Sequence, residues 1–156
     1  MKKRNVFLKI ILSVMMVFLL VGCGNNRKAI TTEEFKDKAK SHNYIISNAI
    51  SQFEEYKYIN EATVVSNAGN WKVEFYVMKD NNSTSKTFEY SKENFIKSKG
   101  NGSKETSESI GNYSNYSLTT NGNYMYLSKI DNTLIYVVAD EKYTEDIKSF
   151  IKELGY

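Results

Sequence analysis

Alternation of apolar and polar residues with a period of two runs through the C-terminal third of the chain and predicts antiparallel strands there. Asn121-Gly122 separates two such segments, and it favours a tight hairpin turn because both residues tolerate positive φ. A second turn is predicted at Asp131-Asn132. These registers predict two opposite faces of the sheet. One face comprises Tyr116, Leu118, Met125, Leu127, Leu134, Tyr136 and Val138, and the other comprises Tyr113, Ser117, Thr119, Tyr124, Tyr126, Ser128 and Thr133.

An earlier hairpin is predicted between positions 61 and 78. Segments 61–67 and 71–78 are rich in β-favouring residues, and NAGN between them supplies turn residues. In the second segment the odd positions, such as Trp71 and Phe75, should face a core. The even positions, which include Tyr76 and Met78, should mostly face water.

Helical spacing appears in three segments. Thr31 followed by Glu34 matches a capping box and predicts the start of the first helix, with Phe35 on its apolar side. A second helix is predicted from about residue 82, capped by Asn82, Ser83 or Ser85, to about residue 99. The third is an amphipathic helix that ends at Gly155. Its apolar face comprises Tyr143, Ile147, Phe150, Ile151 and Leu154.

Two stretches have weaker patterns. In segment 47–57, Ala49, Phe53 and Tyr56 have helical spacing, but the β-rich YII before them favours a strand, so both interpretations stay open. Segment 100–112 is small, polar and without a period, which predicts a mobile loop.

The resulting order, α-β-β-α-β-β-β-α, predicts an α+β fold. We expect a two-layer sandwich of about five mainly antiparallel strands with the helices packed on one face. The last helix should dock on the face that carries Leu118, Leu127 and Tyr136. The opposite face would then be open, and its tyrosines form a candidate binding surface, because tyrosine offers broad contact with a polar tip. Its members are Tyr76, Tyr113, Tyr124 and Tyr126, although cross-strand packing that shields a solvated sheet is the favoured explanation for them.

The N-terminus has a different pattern from the rest of the chain. Lys2, Lys3 and Arg4 precede an apolar run over residues 10–21 that is interrupted only by Ser13. This run is shorter than the roughly 20 residues that a membrane-spanning helix needs. A basic start followed by a short apolar run is typical of a secretory signal.

The run ends in Leu20-Val21-Gly22-Cys23, which resembles the lipobox of bacterial lipoproteins. The resemblance implies that the Cys23 thiol receives a diacylglyceryl group and that cleavage falls between Gly22 and Cys23. Residues 1–22 are then a signal peptide, 23–29 a lipidated tether and 30–156 a single domain. The expected location is the extracytoplasmic face of the cell membrane, with palmitate-like acyl chains as the anchor. The layout of the mature domain is also loosely similar to that of small uncharacterised bacterial lipoproteins.

Removal of the signal peptide changes the net charge of the chain and therefore the partners that the charge predicts. The whole chain has a formal net charge of +3 and a pI near 8.8. The signal contains four of the 21 basic residues and no acidic ones, which leaves 17 basic against 18 acidic residues and a net charge of −1. No basic patch remains for nucleic acid. Because Cys23 is the only cysteine, no intramolecular disulfide stabilises the domain.

Candidate chemistry is sparse. His42 is the only histidine, so a catalytic triad or transition-metal site would depend on it, and its place at a helix end favours a structural role. The acids Asp140, Glu141, Glu145 and Asp146 are interpreted as the start of the last helix rather than a calcium or acid/base cluster. GNGSKET at 100–106 lacks the Gly-Lys-Ser/Thr order of a phosphate loop. The sequence therefore identifies no catalytic residue, metal ligand or cofactor site.

Two functions remain open. The favoured one is a non-catalytic binding or accessory module that engages an envelope protein, peptide or glycan close to the membrane. The alternative is a small cell-envelope hydrolase that uses unidentified carboxylates. A hydrolase should show acids with shifted pKa values in a deep pocket, whereas a binding module should show a shallow aromatic surface.

Overall fold

The computed structural model describes residues 26–156, which form an antiparallel sheet with helices on both of its faces. The proposed signal peptide and Cys23 lie outside the described residues. Within residues 26–156 no helix is both long and apolar enough to cross a membrane. Two 3₁₀ helices, Ile50–Phe53 and Glu141–Tyr143, accompany the regular elements. These elements are α1 (Thr32–Ser41), β1 (Ile45–Asn48), β2 (Ile59–Ser66), β3 (Lys72–Met78), α2 (Asn81–Lys97), β4 (Lys104–Ile110), β5 (Tyr113–Thr120), β6 (Asn123–Ile130), β7 (Thr133–Asp140) and α3 (Thr144–Glu153).

The sheet has the strand order β1-β2-β3-β7-β6-β5-β4, and every neighbouring pair is antiparallel. The α+β class is confirmed, but seven strands replace the predicted five. The two additional strands, β1 and β4, are the edges. The prediction of a mobile loop over 100–112 was wrong because β4 pairs with β5 along its whole length. All residues of β4 are exposed, so its polar sequence has no apolar period to reveal a strand.

The predicted hairpin turns and faces are confirmed. Asn121 and Gly122 both have positive φ, of 50° and 76°, and join β5 to β6. Tyr116, Leu127 and Tyr136 are neighbours across β5, β6 and β7, as the alternation required. The period of two therefore determines which side chains share a face.

The layer arrangement differs from the prediction, because helices cover both faces of the sheet. One face, which we call the α1/α3 face, packs against α1 and α3. The other, the α2 face, packs against α2 and carries Leu118 and Leu127. The expected docking of the last helix on Leu118, Leu127 and Tyr136 was therefore wrong. Both faces of the strands are apolar, so alternation alone does not indicate which helix covers which face.

Local signals at the helix ends explain why the helices begin where they do. The Thr31 hydroxyl accepts a hydrogen bond from the Glu34 backbone N–H (3.1 Å), and the Glu34 carboxylate accepts one from the Thr31 N–H (2.7 Å), which confirms the capping box. At α2 the cap is Asp80 rather than the predicted asparagine or serines, and it accepts from the Ser83 N–H (2.7 Å). Gly155 has a φ of 84° and ends the last helix as predicted.

Residues at the start of the described chain lie against the domain, although the sequence predicted a tether there. Ala29 and Ile30 pack against the α1/α3 core. Arg27 forms hydrogen bonds with Asn112, at the β4–β5 turn. Contacts with the domain therefore extend back to Arg27.

Candidate functional site

The four tyrosines of the predicted binding surface are buried, and one of them, Tyr76, lies on the opposite face from the other three. Tyr113, Tyr124 and Tyr126 are 2%, 2% and 8% exposed and lie on the α1/α3 face, beneath its helices. Tyr76 is 9% exposed and lies on the α2 face. Burial raises the pKa values of Tyr124 and Tyr126. The expectation of an open tyrosine face is wrong because a helical layer covers each face.

A different set of tyrosines is exposed. Tyr56, Tyr58 and Tyr90 are 47%, 38% and 66% exposed, and all three border one groove on the α2 face. The groove has a volume of about 240 Å³ and runs between segment 49–58 and α2. We call it the aromatic groove. Its remaining lining residues are Phe53, Ile59, Glu74, Tyr76, Met78, Thr87, Ser91, Leu134 and Tyr136.

Backbone hydrogen bonds hold segment 49–58 over the sheet and so form one wall of the groove. The N–H of Ala49 donates to the carbonyl of Ala62 in β2 (2.9 Å), and Ala49 is buried. At the other end, the N–H of Lys79 donates to the carbonyl of Tyr58 (2.9 Å). Because both ends are bonded to the sheet, the segment lies across the face instead of extending into solvent.

The rings of this wall contact one another from the floor of the groove to its rim. Phe53 meets Tyr76 edge to face, with ring centroids 5.3 Å apart. The ring centroid of Tyr56 lies 6.2 Å from that of Phe53 and 5.8 Å from that of Tyr58. Aromatic pairs at these separations stabilise each other's orientation, so the exposed rings are positioned before a ligand arrives.

Helix α2 forms the opposite wall. Phe88 and Phe95 are 2% and 4% exposed and anchor the helix on the sheet. Thr87, Tyr90 and Ser91 are three and four positions apart, so they share a second side of the helix and point along the groove. Tyr90 is the most exposed large apolar residue of the described chain.

Glu74 is the charged group of the groove floor. Its side chain is 13% exposed, and its carboxylate accepts a hydrogen bond from the Tyr76 hydroxyl and pairs with Lys72 Nζ at 2.7 Å. Burial, reinforced by Glu74, raises the pKa of Tyr76 and also that of Tyr136. A second hollow of about 300 Å³ shares Phe53, Glu74 and Tyr76 with the groove. Glu74 is therefore an oriented acceptor between two cavities.

The polar residues that the sequence singled out have structural partners. His42 caps α1, and its Nε2 lies 2.9 Å from Glu153 Oε2 while its ring stacks on Tyr44. The Asp140 carboxylate accepts from the Lys142 N–H (3.0 Å), a hydrogen bond that lowers the pKa of Asp140. Glu145 and Asp146 lie in the first turn of α3. Among residues 26–156 no three His, Cys, Asp or Glu side chains are grouped so that they could hold a metal ion.

No protein-family model, curated protein or solved structure matches this chain, so its function has to be argued from the site itself.

Sequence reasoning missed the aromatic groove because its parts belong to segments without a clear period. Tyr56 and Tyr58 lie in the charged stretch EEYKY, and Tyr90 lies between Glu89 and Ser91. The sequence feature that could have indicated the groove is a set of large aromatic residues among charged ones, because a contiguous exposed apolar patch is informative about binding. Bringing them together required the three-dimensional path of segment 49–58.

Proposed function

We propose that this chain is a lipid-anchored extracytoplasmic lipoprotein whose aromatic groove binds a polypeptide segment of an envelope protein. The lipobox-like Leu20-Val21-Gly22-Cys23 supports the anchoring, with the lipid carried on Cys23. The binding role depends on one observation, which is the cluster of exposed tyrosines around an apolar-floored groove.

The chemistry of the groove favours a polypeptide partner. Tyrosine is enriched among the residues that dominate protein interfaces, and such anchors are surrounded by a polar rim. Here exposed charged residues of both signs flank the exposed rings in sequence. They include Glu54, Glu55, Lys57, Lys86 and Glu89. A rim of mixed sign suits a polypeptide better than a uniformly charged polymer.

Hydrolysis is less well supported by this site. Glycoside hydrolysis generally uses two carboxylates that flank the bond to be broken. Glu74 is the one carboxylate among the described residues that line the aromatic groove, and its partners are Tyr76 and Lys72. Exposed acids with lowered pKa values, such as Glu34 and Asp80, owe the shift to helix-capping hydrogen bonds outside the groove.

The binding role is tested by photo-cross-linking in living cells. A benzophenone amino acid is placed at Tyr90, and at Ile96 as a control, because Ile96 is 43% exposed on the same helix but does not line the groove. We expect a discrete protease-sensitive adduct from position 90 that disappears in a Tyr56→Ala, Tyr58→Ala background. Adducts of equal yield at both positions, or an adduct removed by wall-degrading enzymes instead of protease, would contradict a polypeptide ligand.

The anchoring is tested separately by metabolic labelling. Cells given a labelled fatty acid should label the wild-type protein, and Cys23→Ala should abolish the label and release or misprocess the chain. Two acyl chains supply stable anchoring, since each buried CH₂ contributes about 0.8 kcal/mol. An unlabelled wild-type protein cleaved at another site would contradict the lipoprotein assignment.

A further inference from the structure

Arg27 is held against the domain by a side-chain clasp. The Arg27 backbone N–H donates to Asn112 Oδ1 (2.9 Å), and Asn112 Nδ2 donates back to the Arg27 carbonyl (2.8 Å). Asn112 Nδ2 also lies 2.9 Å from Asp131 Oδ2, which fixes the amide between two turns. The backbone of Arg27 is thus bonded to the sheet by a reciprocal pair, as in a strand ladder.

The side chain of Arg27 strengthens the clasp. Its guanidinium carbon lies 3.4 Å from the centre of the Tyr113 ring, and Nη2 lies 3.8 Å from Glu108 Oε2. Nη1 donates a weak hydrogen bond to the Gly155 carbonyl (3.5 Å). Stacking of a guanidinium on an aromatic ring is favourable in addition to its hydrogen bonds. The chain therefore leaves the domain at a defined place.

That place lies at one end of the sheet, which we call the 112/132 end. It contains the β4–β5 and β6–β7 turns, and the antiparallel order brings the end of β3 beside them. The Met78 N–H donates to the Asn132 carbonyl (2.7 Å), and the next residue, Lys79, bonds to Tyr58. Tyr58 at the mouth of the aromatic groove therefore lies at the same end of the sheet as the Arg27 clasp.

We infer that the 112/132 end of the domain rests on the lipid headgroups of the membrane. This inference rests on the proposed lipidation of Cys23. Four residue steps separate Cys23 from Arg27, and they span about 14 Å at most when fully extended. An eight-residue strand such as β5 is about 26 Å long, so the opposite end of the sheet lies farther from the anchor than this linker reaches.

The aromatic side chains at the 112/132 end suit contact with lipid headgroups. Tyr56, Lys57 and Tyr58 are exposed there, next to the exposed Glu54 and Glu55. Tyrosine rings are enriched at the membrane–water interface, and lysine is attracted to anionic lipid headgroups. The aromatic groove then opens next to the bilayer, which is where a membrane-proximal polypeptide segment would reach it.

The single cysteine of the chain makes this placement measurable. Once the Cys23 thiol carries its lipid, a cysteine introduced elsewhere is the only free thiol. A fluorophore is attached to Lys57→Cys, at the 112/132 end, or to Asn101→Cys, in the α2–β4 turn at the opposite end; both positions are exposed. The full lipidated protein is inserted into phosphatidylglycerol vesicles that carry a headgroup spin label as a quencher.

We expect several-fold stronger quenching at position 57 than at position 101. Equal quenching at the two positions in a lipidated, vesicle-bound protein would overturn the placement but leave the proposed lipoprotein assignment intact. A protein that carries no lipid and does not float with the vesicles would overturn both.

Variants of the clasp test whether it determines which end of the domain faces the membrane. Asn112→Ala removes both backbone hydrogen bonds and frees the linker as far as Ala29, which packs on the core, so its reach rises from about 14 Å to about 21 Å. The difference in quenching between positions 57 and 101 should then fall at least twofold. Arg27→Ala provides a second variant that leaves Asn112 and Asp131 paired, and Lys28→Ala is the control because the exposed Lys28 side chain pairs with Glu34 of α1 instead of with Asn112. An unchanged difference in both Asn112→Ala and Arg27→Ala would overturn the role of the clasp.

Discussion

The two faces of the sheet are covered to different extents, and the candidate site lies on the less covered one. Two helices, α1 and α3, pack on the α1/α3 face, whereas α2 is the single α-helix on the other. Seven strands at about 4.8 Å spacing place the two edge strands about 29 Å apart, while a helix is about 10 Å across. One helix therefore leaves part of the α2 face to the short segment 49–58, and the aromatic groove is the gap between them.

The same residue type has opposite roles on the two faces. Tyr124 and Tyr126 lie under the helices of the α1/α3 face, with ring centroids 6.3 Å apart, and contribute to the core. Tyr58 and Tyr90 keep much of their surface in water beside the groove. The comparison shows that tyrosine content alone does not identify a binding surface, because the covering layer decides whether a ring is available.

The largest effect of mutation is expected on the α1/α3 face. Phe150 is 1% exposed, and its ring packs among those of Phe35, Tyr44 and Trp71 at centroid distances of 5.3 to 6.2 Å. Phe150→Ala should lower the free energy of unfolding by about 3–5 kcal/mol, since it removes a buried ring and leaves a cavity. Urea unfolding followed by circular dichroism measures this change.

Lys148→Ala is the matched control on the same helix. Lys148 is exposed, pairs with the exposed Glu145 at 3.4 Å within its own helix and lies 5.9 Å from the centre of the Tyr124 ring, so the loss should stay within about 1 kcal/mol. Equal losses from Phe150→Ala and Lys148→Ala would show that α3 does not pack on the sheet as described.

Short-range patterns predicted the elements of this fold well. The capping box at Thr31 and the turn at Asn121-Gly122 depend on neighbouring residues, and both are confirmed. Face assignments along β5, β6 and β7 followed from a period of two, which local sterics impose on any strand. Such features need no knowledge of distant contacts.

The arrangement of layers could not be predicted in the same way. Tyr76 and Met78 were expected to face water, but segment 49–58 and α2 pack on the face that carries them, and both are buried. Strand β4 was missed because an exposed edge strand has no apolar face, and the aromatic groove was missed because segment 49–58 has no regular period. In each case the deciding contacts join residues far apart in sequence, and no local pattern records them.

A smaller effect is expected from alkaline pH, again on the α1/α3 face. Burial, and to a smaller extent Glu145, raises the pKa of Tyr124 above its ordinary value near 10, which an unfolded chain retains. The folded state then binds more protons than the unfolded state above about pH 10. Stability is therefore complete below that pH and falls above it, by up to about 1.4 kcal/mol per pH unit for each such tyrosine.

Substitution can show which residue causes the loss of unfolding free energy at alkaline pH. Tyr124→Phe keeps the buried ring and removes the titrating hydroxyl, so the decline of unfolding free energy above pH 10 should be shallower, as measured by urea unfolding at a series of pH values. Phe88→Leu on the α2 face removes no titrating group and should keep the wild-type slope. The attribution to Tyr124 fails if its phenylalanine variant retains the full wild-type slope.

The smallest effect on stability is expected at the exposed rings of the aromatic groove. Tyr90→Ala removes a side chain that is 66% exposed, so it should change the free energy of unfolding by no more than about 0.5 kcal/mol, whereas Tyr58→Ala, at a residue 38% exposed and packed against Tyr56, should cost about 1 kcal/mol. If the groove binds a polypeptide, the same variants should weaken capture of that partner by about 2 kcal/mol or more each, as interface anchors do. Urea unfolding measures the effect on stability. The yield of cross-linked partner from a benzophenone amino acid at position 87, which is Thr87 in the wild type and lines the groove, measures the effect on binding in the same proteins. Large destabilisation with unchanged cross-linking would reverse the comparison and make these tyrosines part of the core.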